Sequence, residues 1–283
     1  MQYLKLWHVL QRVFRMMDER NLSLIAAGVA FYSILAVFPG LATVIAIWGV
    51  VGDPAAVAEQ VSEFKAVLPQ DVFKLIDTQL RALSRADGLT LGWASLVSLV
   101  LAIWSARAGV AALMRGLNAI YKVPNRQGFA HYLRALMLTV ALIGVAVTAI
   151  ACVVLVPVIM AFLPLGPWAG LGLDIARWTV ALSVLLAGFL IIYRLGPNRA
   201  DRLTRLVMPG AIFATLCWAA ASSGFSIYLK NFGAYNEVYG SIGAVIAMLM
   251  WLFISAWLVL LGGALNAELE KRSTRGPSTK AKQ

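Results

Sequence analysis

Charged side chains are missing from six stretches of the chain, residues 21–52, 88–106, 135–173, 178–193, 206–229 and 238–267. About 20 residues of α-helix are needed to cross about 30 Å of hydrocarbon, and five of the stretches reach that length. The fourth holds 16 residues. Asp174 and Arg177 lie at its end, where charged side chains extend to the headgroups, so it also counts as a span. The runs are continuous rather than alternating, which selects helices over barrel strands, because in lipid each backbone group must be satisfied within its own segment. The expected fold is all-α: a polytopic membrane protein with six transmembrane helices, at about 22–51, 88–106, 135–163, 174–194, 206–229 and 239–266. Residues 1–270 form a single membrane domain, and 271–283 a flexible basic tail. The first apolar run starts some twenty residues in, is too long for a signal-peptide core and has no small-residue cleavage site after it, so it reads as a retained helix.

Short amphipathic interfacial helices accompany the spans. Leu6, Leu10, Val13, Phe14 and Met17 share one helical face ahead of the first span, as in a helix lying at the membrane surface. In residues 54–87, Val57, Val61, Phe64 and Leu68 recur at helical spacing, and so do Val72, Leu75, Ile76, Leu80 and Leu83. Pro69 suits the start of the second of these two helices. Within the first span, Pro39 cannot donate to the Leu35 carbonyl and Gly40 follows it, so a kink or break is expected there. Small residues recur every four positions in the second span (Ala94, Ser98, Ala102, Ala106) and in the fifth (Ala211, Thr215, Ala219, Ser223), allowing close helix approach within the bundle. A homo-oligomer seam would use the same stripes.

Composition agrees with this pattern: 61% of residues are hydrophobic and 13% charged, and mean hydropathy is +0.81. The net charge of +11 would suit a nucleic-acid partner if the cations were spread over a soluble surface. They are not. Lys5, Arg12, Arg15 and Arg20 precede the first span, and Arg107, Arg115, Lys122, Arg126 and Arg134 follow the second. Arg194, Arg199, Arg202 and Arg205 lie between the fourth and fifth, and Lys271, Arg272, Arg275, Lys280 and Lys282 form the tail. Eighteen of the 24 basic residues therefore fall on one side. Excess Lys and Arg in short loops marks the cytoplasmic face, so the expected location is a bacterial inner (plasma) membrane with both termini cytoplasmic and 54–87 periplasmic. The partner this implies is the lipid bilayer, not a specific nucleic acid.

Residues suited to catalysis are few. Cys152 and Cys217 fall inside spans and serve packing, with no disulfide or metal-ligand spacing. His8 and His131 are far apart in sequence and have no accompanying carboxylate pair. No catalytic residue, metal site or cofactor is expected. If the second span continues as a helix, Arg107, Ala111, Arg115, Asn118 and Lys122 follow one another along one face. Arg107, Arg115 and Lys122 are then candidate contacts for anionic lipid headgroups or a phosphate-bearing amphipathic substrate. The last outer loop crowds Asn231, Tyr235 and Asn236 among aromatic residues. An interfacial aromatic belt accounts for the rings but not for the amides, which need partners near lipid. Together with Pro39, Asn118 and Asn266 they are candidates to line or gate a path.

Three stretches, AAGVAFYSILAVFPG (26–40), WSARAGVAALMRGLNAIY (104–121) and the long segment 207–270 beginning VMPGAIFATLCWAAASSGFSIYLKNFGAYNEVYG, resemble the BrkB/YihY family of bacterial inner-membrane proteins. The resemblance covers nearly the whole chain and is weakest over 54–87. It implies six spans, links to virulence or serum resistance and suggestions of envelope transport, and some members have carried a ribonuclease label. It supplies no catalytic residues. The leading expectation is membrane transport or envelope-lipid handling. A structural or regulatory membrane partner is the alternative, and a membrane-associated ribonuclease the less favoured one.

Overall fold

A computed structural model describes residues 2–51, 88–125, 128–161, 167–199, 206–230 and 241–275. Among these residues the regular structure is entirely helical: α1 (Gln2–Glu19), α2 (Leu22–Val51), α3 (Gly88–Tyr121), α4 (Phe129–Ala161), α5 (Pro167–Leu195), α6 (Met208–Lys230) and α7 (Ser241–Arg275). Each of α2 to α7 contains a stretch long and apolar enough to cross a membrane: Leu22–Gly40, Leu96–Tyr121, Phe129–Ala149, Ile175–Leu195, Met208–Leu229 and Gly243–Ser273. Large apolar side chains on these helices face outward, Leu24 being 73% and Leu216 63% exposed. Such a surface is untenable in water and matches hydrocarbon. The amphipathic segment expected at 54–87 lies outside the described residues.

Helix ends and span ends do not coincide. α3 runs on through Arg107 and Arg115 to Tyr121, α4 begins at Phe129 ahead of Arg134, and α7 extends to Arg275, so residues 271–275 of the expected tail are helical. A charge marks where hydrocarbon stops, whereas backbone hydrogen bonding continues while local propensity and packing favour it. α5 opens on Pro167, whose missing N–H is harmless in a first turn. Of the kink or break expected at Pro39, a break is absent: α2 passes through it as one helix. Thr43 donates its hydroxyl back to the Pro39 carbonyl at 2.8 Å. Proline removes a single donor there, and α3 is the most extensive partner of α2.

The core is concentrated toward the end of the bundle where α1 lies. Leu22, Ala26, Ala30 and Ile34 form a buried line along α2, spaced four residues apart, and Gly109 of α3 lies beside Val29, Tyr32 and Ser33. α1 contributes Val9, Val13, Met16 and Met17 to this core, and its Phe14 ring lies 6.3 Å from that of Trp257 on α7. The buried face of α1 shares Val13 and Met17 with the expected one and adds Val9 and Met16, because α1 packs chiefly onto α7 and α2; the Leu6 side chain lies outside the described residues.

Candidate functional site

Most of the described cations share the end of the bundle that α1 covers, here called the basic end, and so do the buried polar side chains Asn118, Asn266 and Glu268. Asn266, fully buried on α7, reaches the start of α6. The Gly210 N–H donates to its Oδ1 at 2.7 Å, and its Nδ2 donates to the Val207 carbonyl at 3.1 Å. The first N–H groups of a helix have no partner inside it, and Asn266 supplies one from a neighbouring helix. The contact requires α6 and α7 to cross closely. A Cβ on Gly210 would overlap the Gly262 carbonyl and the Asn266 amide, and one on Gly262 would overlap the Tyr193 hydroxyl and the Gly210 carbonyl. Tyr193, also fully buried, completes the cluster by donating to the Val259 carbonyl at 2.7 Å.

Asn118 fastens two loops in a similar way. Its Nδ2 donates to Asn125 Oδ1 at 2.9 Å, and its Oδ1 accepts from the Asn198 N–H at 2.7 Å. Asn198 Nδ2 donates to the Pro124 carbonyl at 2.9 Å. The α3–α4 turn is thereby tied to the residues following α5. The Asn118 carbonyl also accepts from Val123 N–H at 3.0 Å, and Ala119 accepts from Lys122 N–H at 3.2 Å. This is the paired hydrogen bonding of a helix end that closes on a left-handed residue. That residue is Lys122, with φ of 55°, where glycine would be the unstrained choice.

Two carboxylates stand among the cations. Glu270 receives Arg199 bidentately, at 2.7 Å and 2.5 Å, while the Arg199 guanidinium lies 4.5 Å from the Tyr121 ring centre. The hydrogen bonds that Arg199 donates to Glu270 raise its pKa above the ordinary value, against the opposing effect of burial. Glu268 meets Arg12 at 3.1 Å and Arg272 at 3.5 Å. Between α1, the end of α3 and α7 lies a cavity of about 230 Å³ into which Arg12, Arg15, Arg20, Lys122 and Lys271 converge. A second, of about 220 Å³, lies beside Tyr121, Arg199 and Glu270 and shares Ile120 and Lys271 with the first.

The stripe Arg107, Arg115 and Lys122 divides. Arg107 stacks on Tyr132 of α4, 4.4 Å from the ring centre, and both Arg107 and Arg115 act electrostatically on His131. Arg107 Nε and His131 Nδ1 are buried without a hydrogen-bond partner among the described residues. Lys122 instead lines the cavity between α1 and α7. Pro39 is remote from Asn118 and Asn266: it lies 17 residues beyond Leu22 in α2, about 25 Å along the helix from the basic end. Asn231, Tyr235 and Asn236 lie outside the described residues. Sequence reasoning passed over Glu268, Glu270, Arg199 and Asn198. A signal existed, since Glu268 and Glu270 are two of only 13 acidic residues and directly precede the basic tail Lys271, Arg272 and Arg275. Among the described residues, no three His, Cys, Asp or Glu side chains gather as a metal site would require.

Comparison with known proteins places this architecture. The chain is 31% identical over 262 residues to a ribonuclease-like protein, YfkH, of Bacillus subtilis (strain 168), covering 87% of this chain and 90% of that one. It is 31% identical over 85 residues to a UPF0761 membrane protein of Pseudoalteromonas translucida (strain TAC 125), covering 30% of this chain and 28% of that one. It is 36% identical over 93 residues to one from Xanthomonas campestris pv. campestris (strain B100), covering 32% of this chain and 22% of that one. No solved structure matches it. The family model described as virulence factor BrkB matches residues 13–283, and the chain therefore belongs to the BrkB family of membrane proteins.

Proposed function

We propose that this protein sits in a bacterial inner membrane with both termini cytoplasmic and handles or transports an anionic, amphipathic envelope molecule such as a lipid. The observation that carries the reading is the concentration of cations and cavities at one end of an otherwise apolar bundle. Arg107 and Arg115 follow the charge-free run of α3, where cations suit anionic headgroups, and the Arg107 Nε is buried with no hydrogen-bond partner among the described residues. Asn118 and Asn266, whose amides hold loops and a helix start, position this end rather than contact the cargo. Full-length protein in proteoliposomes should carry a fluorescent anionic phospholipid between leaflets faster than protein-free vesicles do. Flux equal to that of empty vesicles would sink the transport reading in favour of a structural or regulatory membrane partner.

One relative's name makes ribonuclease activity the other reading to test. Its physical attraction is the basic end, which could hold RNA phosphates, but holding is not cleavage. Protein purified from a strain lacking soluble nucleases should cleave RNA no faster than a mock preparation. Cleavage abolished by a single polar substitution would overturn the transport reading.

A further inference from the structure

We propose that the cavity between α1, the end of α3 and α7 is a binding site for a phosphate group, with Arg15, Arg20 and Lys122 as its principal contacts. Arg12, Arg15, Arg20, Lys122 and Lys271 line the cavity, against Glu19 and Glu268. α1 and α3 also end beside it, and each helix C-terminus contributes about half a negative charge. With Arg12 paired to Glu268 and Lys271 set aside, Arg15, Arg20 and Lys122 against Glu19 and the two helix ends leave roughly one positive charge uncompensated, enough to balance a phosphate monoanion. The Glu268 carboxylate, 6% exposed, is already engaged by Arg12 and Arg272. Arg15, Arg20 and Lys122 form no ion pair among the described residues.

Geometry adds a second, independent argument. Lys122 holds a left-handed backbone conformation with φ of 55°, at the position where helices usually place glycine. A strained non-glycine residue at such a point, with its side chain on a cavity, is the pattern expected when the side chain has a task. The cavity, at about 230 Å³, is smaller than the pockets that enclose drug-sized ligands. It suits a phosphate with a small substituent, and Met16 and Ile120 supply an apolar wall. A lipid headgroup and free phosphate share this chemistry. The site is inferred from binding chemistry alone and goes beyond transport, so binding without flux would keep it while removing the transport reading.

The test uses full-length protein in nanodiscs of phosphatidylcholine, titrated calorimetrically with inorganic phosphate. A second arm compares thermal unfolding in discs with and without phosphatidic acid. Phosphate binding that falls at least tenfold in Arg15→Gln and in Lys122→Gln, but less than twofold in Arg177→Gln far from the cavity, is the expected result. If only the phosphatidic acid arm shows a stabilisation that these two variants lose, the phosphate belongs to a lipid; if both arms respond, free phosphate is also accepted. Lys122→Gly separates binding from folding, because relief of backbone strain should raise the unfolding temperature while affinity falls. Equal affinity in all variants, an equal loss in Arg177→Gln, or no response in either arm would overturn the proposal.

Discussion

Gly210 and Gly262 govern how closely α6 approaches α7, and their effect can be separated from that of the polar side chains they admit. In Gly210→Ala the new methyl meets the Gly262 carbonyl and the Asn266 amide, one a backbone group and the other a side chain held by two hydrogen bonds. Neither can swing aside cheaply. Overpacking costs about 1–3 kcal/mol, occasionally more, and this site belongs at the upper end. Tyr193→Phe removes one hydrogen bond, worth about 1 kcal/mol, and leaves the ring in place. Gly210→Ala should therefore accumulate poorly in membranes and Tyr193→Phe should not, as read by immunoblot and by thermal unfolding in detergent. Equal stability of the two variants would show that the helices do not cross this closely. Sequence singled out Asn118 on the cationic face that continues the second span, and Asn266 with it as a candidate to line a path. Their partners were not legible, because Asn198 and Gly210 lie 80 and 56 residues away and only folding brings them together.

Between elements, the ion pairs of the basic end differ in strength for reasons of burial and geometry. Arg199 and Glu270 keep 19% and 16% side-chain exposure and pair bidentately over Tyr121. Arg12, by contrast, is 50% exposed where it meets Glu268. Hydrogen bonds to charged groups contribute about 1.5–3 kcal/mol, whereas exposed pairs rarely exceed about 1 kcal/mol. A double-mutant cycle on unfolding in detergent should give Arg199 and Glu270 a coupling near 2 kcal/mol and Arg12 with Glu268 well under half of that. Arg199→Lys should recover little of the first coupling, since lysine offers neither the planar fork nor the stacking surface. Similar coupling in both pairs would contradict this ranking. Element positions were largely legible, because charge-free runs are a direct consequence of the cost of charge in hydrocarbon. The face α1 buries was legible only in part, at Val13 and Met17: apolar residues of α1 satisfy both a membrane surface and a helix partner, and only the position of α7 decides between them.

At the scale of the molecule, the six spans could be read from local composition, while the site could not, since its cations come from α1, the end of α3 and α7 and are neighbours only after folding. The proposed orientation rests on a global property of the sequence, a division of basic residues that would put eighteen on one side and six on the other. Lys and Arg in short loops resist translocation, and a bias this large outweighs any single loop. A reporter inserted between α3 and α4 would break the Asn118 and Asn198 contacts and confound folding with topology, so the informative fusions follow Gln283 and Asp71. A reporter active only in the cytoplasm should work after Gln283 and fail after Asp71; one active only in the periplasm should show the reverse. The bias also predicts how the result responds to charge. Replacing Arg12, Arg15 and Arg20 with Gln leaves most of the eighteen cations in place, so the tail reporter should remain cytoplasmic while any phosphate binding in the cavity is lost. A cytoplasmic Asp71 reporter in the otherwise unaltered chain would invert the topology and place the basic end outside.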